Sequence, residues 1–152
     1  MELKKYLIII IIFNFTNFSF ADIKPAENLT AYDVVKIQLN ALKNNNKPSK
    51  NAGILQTWVF AHPENKKFTG PYDSFEKMLL GDQYNFLLNH DSHKIKLIMG
   101  SKDNYIYNIE LISKEKKMYF YEWHLEKTTT NNCSNCWFTT IVSPPIEKGN
   151  TI

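Results

Sequence analysis

"HKIKLIMGSKDNYIYNIELISKEKKMYFYEWHLEK", His93–Lys127, decides the fold. Apolar and polar residues alternate through it with a period of two, the mark of half-buried strands. Ile95, Leu97 and Met99 oppose Lys94 and Lys96 in the first run. Tyr105, Tyr107, Ile109 and Leu111 share one face of the second. In the third, Tyr119, Tyr121, Trp123 and Leu125 oppose Met118, Phe120, Glu122 and His124. Ser101–Asn104 and Lys114–Lys117 are turns, so consecutive runs pair as an antiparallel meander. "TTTNNCSN" reads as a further turn, "CWFTTIVS" (Cys136–Ser143) as a fourth strand ended by Pro144-Pro145, and the remainder, 147–152, as a loose tail.

Upstream of His93 the period is 3.6. Thr30-Ala-Tyr-Asp33 has the form of a capping box, with Asp where Glu or Gln is usual. Val34, Val35, Gln38, Leu39 and Leu42 follow it as one helical stripe. "KNNNKPSKN" (Lys43–Asn51) is a polar linker. A second helix spans Ala52–Ala61, with Ile54, Leu55, Trp58 and Val59 as its apolar face. It is stopped by Pro63, which pushes the preceding residue towards extended geometry. Gly70-Pro71 opens a third helix, proline being tolerated in a first turn, with Phe75, Met78 and Leu79 buried and Gly81 at its end. "HPENKKFTGP" between them reads as a corner. "DQYNFLLNH" is a buried connector. Helices first and strands after give an α+β domain over 22–146, with helices packed on one face of a curved antiparallel sheet of about four strands.

Residues 1–21 read as a signal peptide: Lys4 and Lys5, an apolar stretch over Leu7–Phe13, and small Ser19 and Ala21 before cleavage at Asp22. The apolar run is far short of the roughly 20 residues a membrane span needs, so an exported protein, periplasmic or secreted, is expected rather than an integral membrane one. An uncleaved anchor is the alternative. The net charge of +3 is too weak a field to imply nucleic acid. Aromatic residues make up 14% of the chain, which favours a compact core.

"FAHPENKKFTGPYDSFEKML", continued by "YNFLLNH" (Phe60–His90), resembles an uncharacterised family, domain of unknown function 4864, of the cystatin-like or nuclear-transport-factor-2-like superfold. Phe60, Ala61, Pro63, Asn65, Thr69, Gly70, Pro71, Phe75, Met78, Tyr84, Leu87, Leu88, His90 and Trp137 carry the resemblance. His62 stands where the family pattern has serine. The resemblance implies a conical α+β fold and no established activity, and it places His90 at the end of a buried helix, where its ring can hydrogen-bond backbone.

Several groups could carry chemistry. Cys133 and Cys136 read as a disulfide stapling a turn in an oxidising compartment; redox and metal roles are the alternatives. His90, Asp91 and His93 could chelate a metal only on a helical turn, and the segment enters a strand. Glu122 and His124 are an acid/base pair by type, catalytic if their face lines the cone and solvated if the more apolar face does. The candidates for lining a ligand pocket are Trp58, Tyr119, Tyr121 and Trp123. His62, Glu64 and Asn65 read chiefly as turn structure, with Asn65 bonding backbone amides. There is no glycine-rich phosphate loop, nucleophile elbow or paired metal carboxylate, and no cofactor is expected. The reading is an exported binding or interaction module of the cell envelope, with a homodimer through the sheet as one mode; the alternative is a pocket enzyme using an acid/base residue between helices and sheet.

Overall fold

The computed structural model describes residues 22–150; the expected leader lies outside them. Four helices precede the strands: α1 (Ala31–Lys43), α2 (Ala52–Val59), α3 (Pro63–Thr69) and α4 (Tyr72–Leu80). A 3-10 turn over Asn85–Leu87 leads into β1 (Ser92–Gly100), β2 (Asn104–Ile112), β3 (Lys117–Thr130), β4 (Cys133–Val142) and β5 (Ile146–Asn150). The strands form one antiparallel sheet in the order β1-β2-β3-β4, with β5 also paired to β3. The α+β class and the order of helices before sheet follow the sequence.

The meander buries the face its alternation marks. Ile109 lies opposite Tyr121, Leu111 opposite Tyr119 and Tyr107 opposite Trp123, all of them in the core with Leu125. Against them pack Val34, Val35, Leu39 and Leu42 of α1, Ile54 of α2, and Phe75 and Leu79 of α4. α1 begins at a working capping box: the Asp33 amide donates to Thr30 Oγ1 at 3.1 Å, and the Thr30 amide donates to the Asp33 carboxylate at 2.9 Å. The shorter aspartate therefore does the work of the usual glutamate, and Thr30's hydrogen bonds hold the Asp33 carboxyl below its ordinary pKa.

The Lys43–Asn51 stretch is structured as well as polar. Asn45 is buried. Its backbone carbonyl accepts from the Gly53 amide at 3.0 Å and its side-chain oxygen from the Ile54 amide at 3.0 Å. α2 has no side-chain cap from its own N-cap residue, Asn51, so Asn45 satisfies two of its orphan amides from outside.

Four sequence expectations need correction. The "HPENKKFTGP" corner holds a helix of its own, α3: His62 is its N-cap, Pro63 opens it, Glu64 lies in the first turn, and Lys66 and Lys67 lie in the last. The proline rule that marks α4 marks this helix equally. α2 ends at Val59, two residues before the expected Ala61. The tail after Pro144-Pro145 is not loose: Ile146 pairs with Phe120 and Glu147 with Tyr119. Proline has no amide to donate, so the pair interrupts the ladder, and the chain resumes along the same edge of β3 as β5. Met118 and Phe120, on the outer face of β3, are half-buried, with β5 beside them. Lastly, Leu97 and Met99 do not share Ile95's burial. The register shifts after Leu97, so Met99 leaves the period of two; Leu97 still pairs with Tyr107, and on this edge strand Leu97 is 59% and Met99 57% exposed.

Candidate functional site

The segment from Phe60 to Asn65 is laid along the outer edge of β4. The Thr139 amide donates to the Phe60 carbonyl at 2.8 Å, and the His62 amide donates to the Thr139 carbonyl at 2.9 Å, giving a parallel bridge between Ala61 and Thr139. Asn65 extends the seal. Its side-chain amide donates to the Thr139 carbonyl at 3.4 Å and also to the Thr140 carbonyl. The sequence reading had Asn65 accepting from backbone amides; here it donates to carbonyls. His62 caps α3, its Nδ1 accepting from the Glu64 amide at 3.2 Å. An edge strand left open presents unpaired donors and acceptors, and this segment covers them.

Asn65→Ala is therefore expected to cost about 1–2 kcal/mol by leaving two carbonyls with a lost donor. Asn65→Asp should cost more, because a carboxylate would face two carbonyl oxygens. Urea midpoints measure both; an aspartate variant as stable as wild type would mean that this seal contributes nothing.

Behind the seal lies a cavity of about 320 Å³ between α1, α2, α3, α4 and β4. At its floor, Gln38 Oε1 accepts from Trp123 Nε1 at 2.9 Å and from Thr139 Oγ1 at 2.6 Å, while Gln38 Nε2 donates to the Thr57 carbonyl at 3.1 Å. An indole N–H can only donate, which fixes which end of the Gln38 amide faces Trp123. Leu42, Trp58, Phe75, Leu79, Tyr84 and Leu87 form much of the wall. The solvent-exposed lining residues mark the mouth: Phe68 is 92% exposed, Ile141 54% and Met78 37%. Met78, expected in the buried stripe of its helix, sits instead at this opening. Lys66 lies over the face of Trp58, 5.3 Å from the ring centroid, with burial lowering its pKa.

Of the pocket candidates, Trp58 and Trp123 line this cavity, and Tyr119 and Tyr121 are not among its lining residues. Tyr119 stacks on Phe86 at 4.2 Å, and Tyr121 is enclosed in the core, where burial raises its hydroxyl pKa. The polar floor of Gln38, Thr57 and Thr139 was not anticipated as a unit. Its one sequence signal is a glutamine inside the apolar stripe of α1.

The remaining candidates lie elsewhere. Glu122 and His124 meet at 3.2 Å on the side of the sheet turned away from the helices, with Glu122 exposed. His90 is 2% exposed and its Nδ1 lies 2.7 Å from the Leu87 carbonyl. A carbonyl only accepts, so Nδ1 carries the proton. Nε2 then accepts from His93 Nδ1–H, also at 2.7 Å. Burial drives the His90 pKa down to about 4 and lowers that of His93. Among the described residues, no group of three or more His, Cys, Asp or Glu side chains could hold a metal ion. Cys133 and Cys136 are disulfide-bonded with their Cα atoms 5.9 Å apart. Both lie in β4, which starts three residues earlier than expected, and the turn before them is Asn131-Asn132.

No family model matches the chain, no curated protein matches it, and no solved structure matches it.

Proposed function

We propose that this chain is an exported, cystatin-like module that binds a small molecule in the cavity between its helices and β4 and does no chemistry on it. The observation that carries the reading is the lining. It is concave, built from side chains of four helices and the sheet, mainly apolar, and contains no Asp, Glu, Lys, Arg or His. Its volume lies in the range of small-molecule sites. The enzyme alternative needs an acid or base in the cavity; Glu122 and His124 are on the opposite face of the sheet, and His62 is not a lining residue. Export is supported by the leader reading of 1–21 and by the disulfide, which suits an oxidising compartment. The resemblance of Phe60–His90 supports the cystatin-like assignment. Among the described residues no helix is long and apolar enough to cross a membrane.

A thermal-shift screen of small metabolites on the purified protein tests this. Compounds that raise the midpoint of the wild type are expected to lose that effect in Met78→Trp, which narrows the mouth at an exposed position, since only binding to the folded state stabilises. Compounds that stabilise both proteins equally would place binding elsewhere. Turnover of a stabilising compound into product would favour the enzyme alternative.

A further inference from the structure

The hydrogen bonds around the cavity define the guest more closely. A hydroxyl has one hydrogen to donate, and each lining hydroxyl donates to the protein itself. Thr57 Oγ1 donates to the Gly53 carbonyl at 2.9 Å, Thr69 Oγ1 to the Asn65 carbonyl at 2.7 Å, and Thr139 Oγ1 to Gln38 at 2.6 Å. Thr140 Oγ1 donates to the His124 carbonyl at 3.3 Å and the Tyr84 hydroxyl to the Val142 carbonyl at 3.1 Å. The Trp123 indole and the Asn65 amide are likewise engaged, with Gln38 and with the β4 carbonyls. What remains to donate to a guest is one N–H of Gln38, while the lining hydroxyl oxygens and Asn65 Oδ1 keep lone pairs that can still accept. All of these are neutral groups, enough for an ether, ester or alcohol oxygen and not for a charge. A charged guest would be desolvated here without a counter-charge.

The size of the guest follows from the space. About 320 Å³ is the liquid volume of about ten water-sized groups, and a methylene is of similar size. Phe68, Met78 and Ile141 continue apolar surface from the cavity to solvent, so a guest can project through the mouth without placing a polar segment inside. From these observations we infer that the cavity takes the alkyl chain of an amphiphile, about ten carbons deep, with the polar head outside beside Phe68. The inference rests on the binding reading above and adds the ligand class to it.

The test is displacement of N-phenyl-1-naphthylamine, a neutral fluorescent probe, from the purified protein by a series of straight-chain alcohols. Affinity should rise by about fourfold per methylene and level off near decan-1-ol, where the chain outgrows the cavity. Benzoate and benzamidine, small enough to enter but charged, should not displace the probe. Ala61→Leu adds side-chain volume to the lining beside Thr139 and should move the levelling point to shorter alcohols. If that variant does not fold, Met78→Trp at the exposed mouth should weaken the long alcohols instead. Phosphatidylcholine vesicles separate the two sources of such a chain. Vesicle binding abolished by Met78→Trp supports a bilayer lipid; alcohol binding with no vesicle binding supports a free amphiphile. Displacement by benzoate or benzamidine in the wild type but not in Ala61→Leu, with no rise along the alcohol series, would overturn the alkyl-chain inference and leave the binding reading intact. Probe binding that is absent, or unaffected by either cavity variant, together with no stabilising metabolite, would overturn both.

Discussion

Gly53→Ala is expected to destabilise the protein by about 3 kcal/mol or more, at the upper end of what overpacking costs. Two effects oppose each other at this position. Alanine is the better helix former by about 1 kcal/mol, so helix propensity alone would make the variant more stable. Packing decides otherwise. A Cβ at residue 53 would lie 2.1 Å from the Ala41 carbonyl oxygen, 2.7 Å from its carbon and 2.8 Å from the Asn45 Cα. All three are backbone atoms of α1 or the residues just after it, so no side-chain rotation relieves the contact and α2 must move as a body. That shift would also pull the Gly53 and Ile54 amides from Asn45 and the Thr57 carbonyl from Gln38. The loss would therefore reach the floor of the cavity. Chemical denaturation measures it, and the sign is diagnostic: a variant equal to or more stable than wild type would mean that α1 and α2 can separate at no cost.

The same contrast between local and long-range effects explains what the sequence showed of the fold. The alternation in β2 and β3 was legible because every second side chain enters one core, and that core has no competing demand. β5 was not, because two prolines mark the end of a ladder locally while the long β3 offers the same edge again a few residues on. α3 has no fully buried residue, so it lacks the apolar stripe on which helix recognition depends. Its signals are instead the proline at its first position and the Glu64–Lys67 ion pair at 2.7 Å, exposed on both sides. The exposed end of β1 misled in the opposite direction: the apolar letters are present, but they lie on the edge strand of the sheet, and Met99 also lies past a bulge.

The cavity was legible in its rings and illegible in its floor. Trp58 and Trp123 are large apolar groups on faces that the periodicity turns inward. The Gln38–Thr139 contact joins residues 101 positions apart, and the Gln38–Thr57 contact joins residues 19 apart; neither spacing leaves a local pattern. Buried polar side chains must nevertheless find partners. A glutamine in an otherwise apolar stripe therefore announces that some donor and acceptor will meet it, though not which. Here the partners are the buried N–H of Trp123, which Thr139 Oγ1 also accepts at 3.2 Å, and the Thr139 hydroxyl, so the polar intrusions satisfy one another.

Acidification from about pH 6.5 to about pH 4 should remove about 3 kcal/mol of stability through His90 alone. Burial is the largest cause of its low pKa; the nearby His93 and Lys43 act in the same direction, while the Leu87 carbonyl and Asp91 oppose it. The sign follows from proton counting. Between those pH values the unfolded chain binds a proton on this imidazole and the folded chain does not, so falling pH favours unfolding. The contribution is fully present above the unfolded value of 6.5 and is used up once pH falls through the folded value of about 4. Geometry gives the same direction, since a proton on Nε2 would face the N–H of His93 across the present 2.7 Å contact. His93, also lowered by burial, adds to the effect. Carboxylates such as Asp33 and Asp91, with lowered pKa values, weaken folding at lower pH and must be separated from it. His90→Gln does this: its amide can still donate to the Leu87 carbonyl but does not titrate. The variant should be less stable than wild type near neutral pH and should lose much less stability down to about pH 4.5. Urea unfolding across this range gives both slopes, and an NMR titration of the His90 ring gives its pKa directly. Equal slopes, or a ring that titrates near 6.5, would show that water reaches His90 and that the beginning of β1 opens more readily than its buried contacts imply.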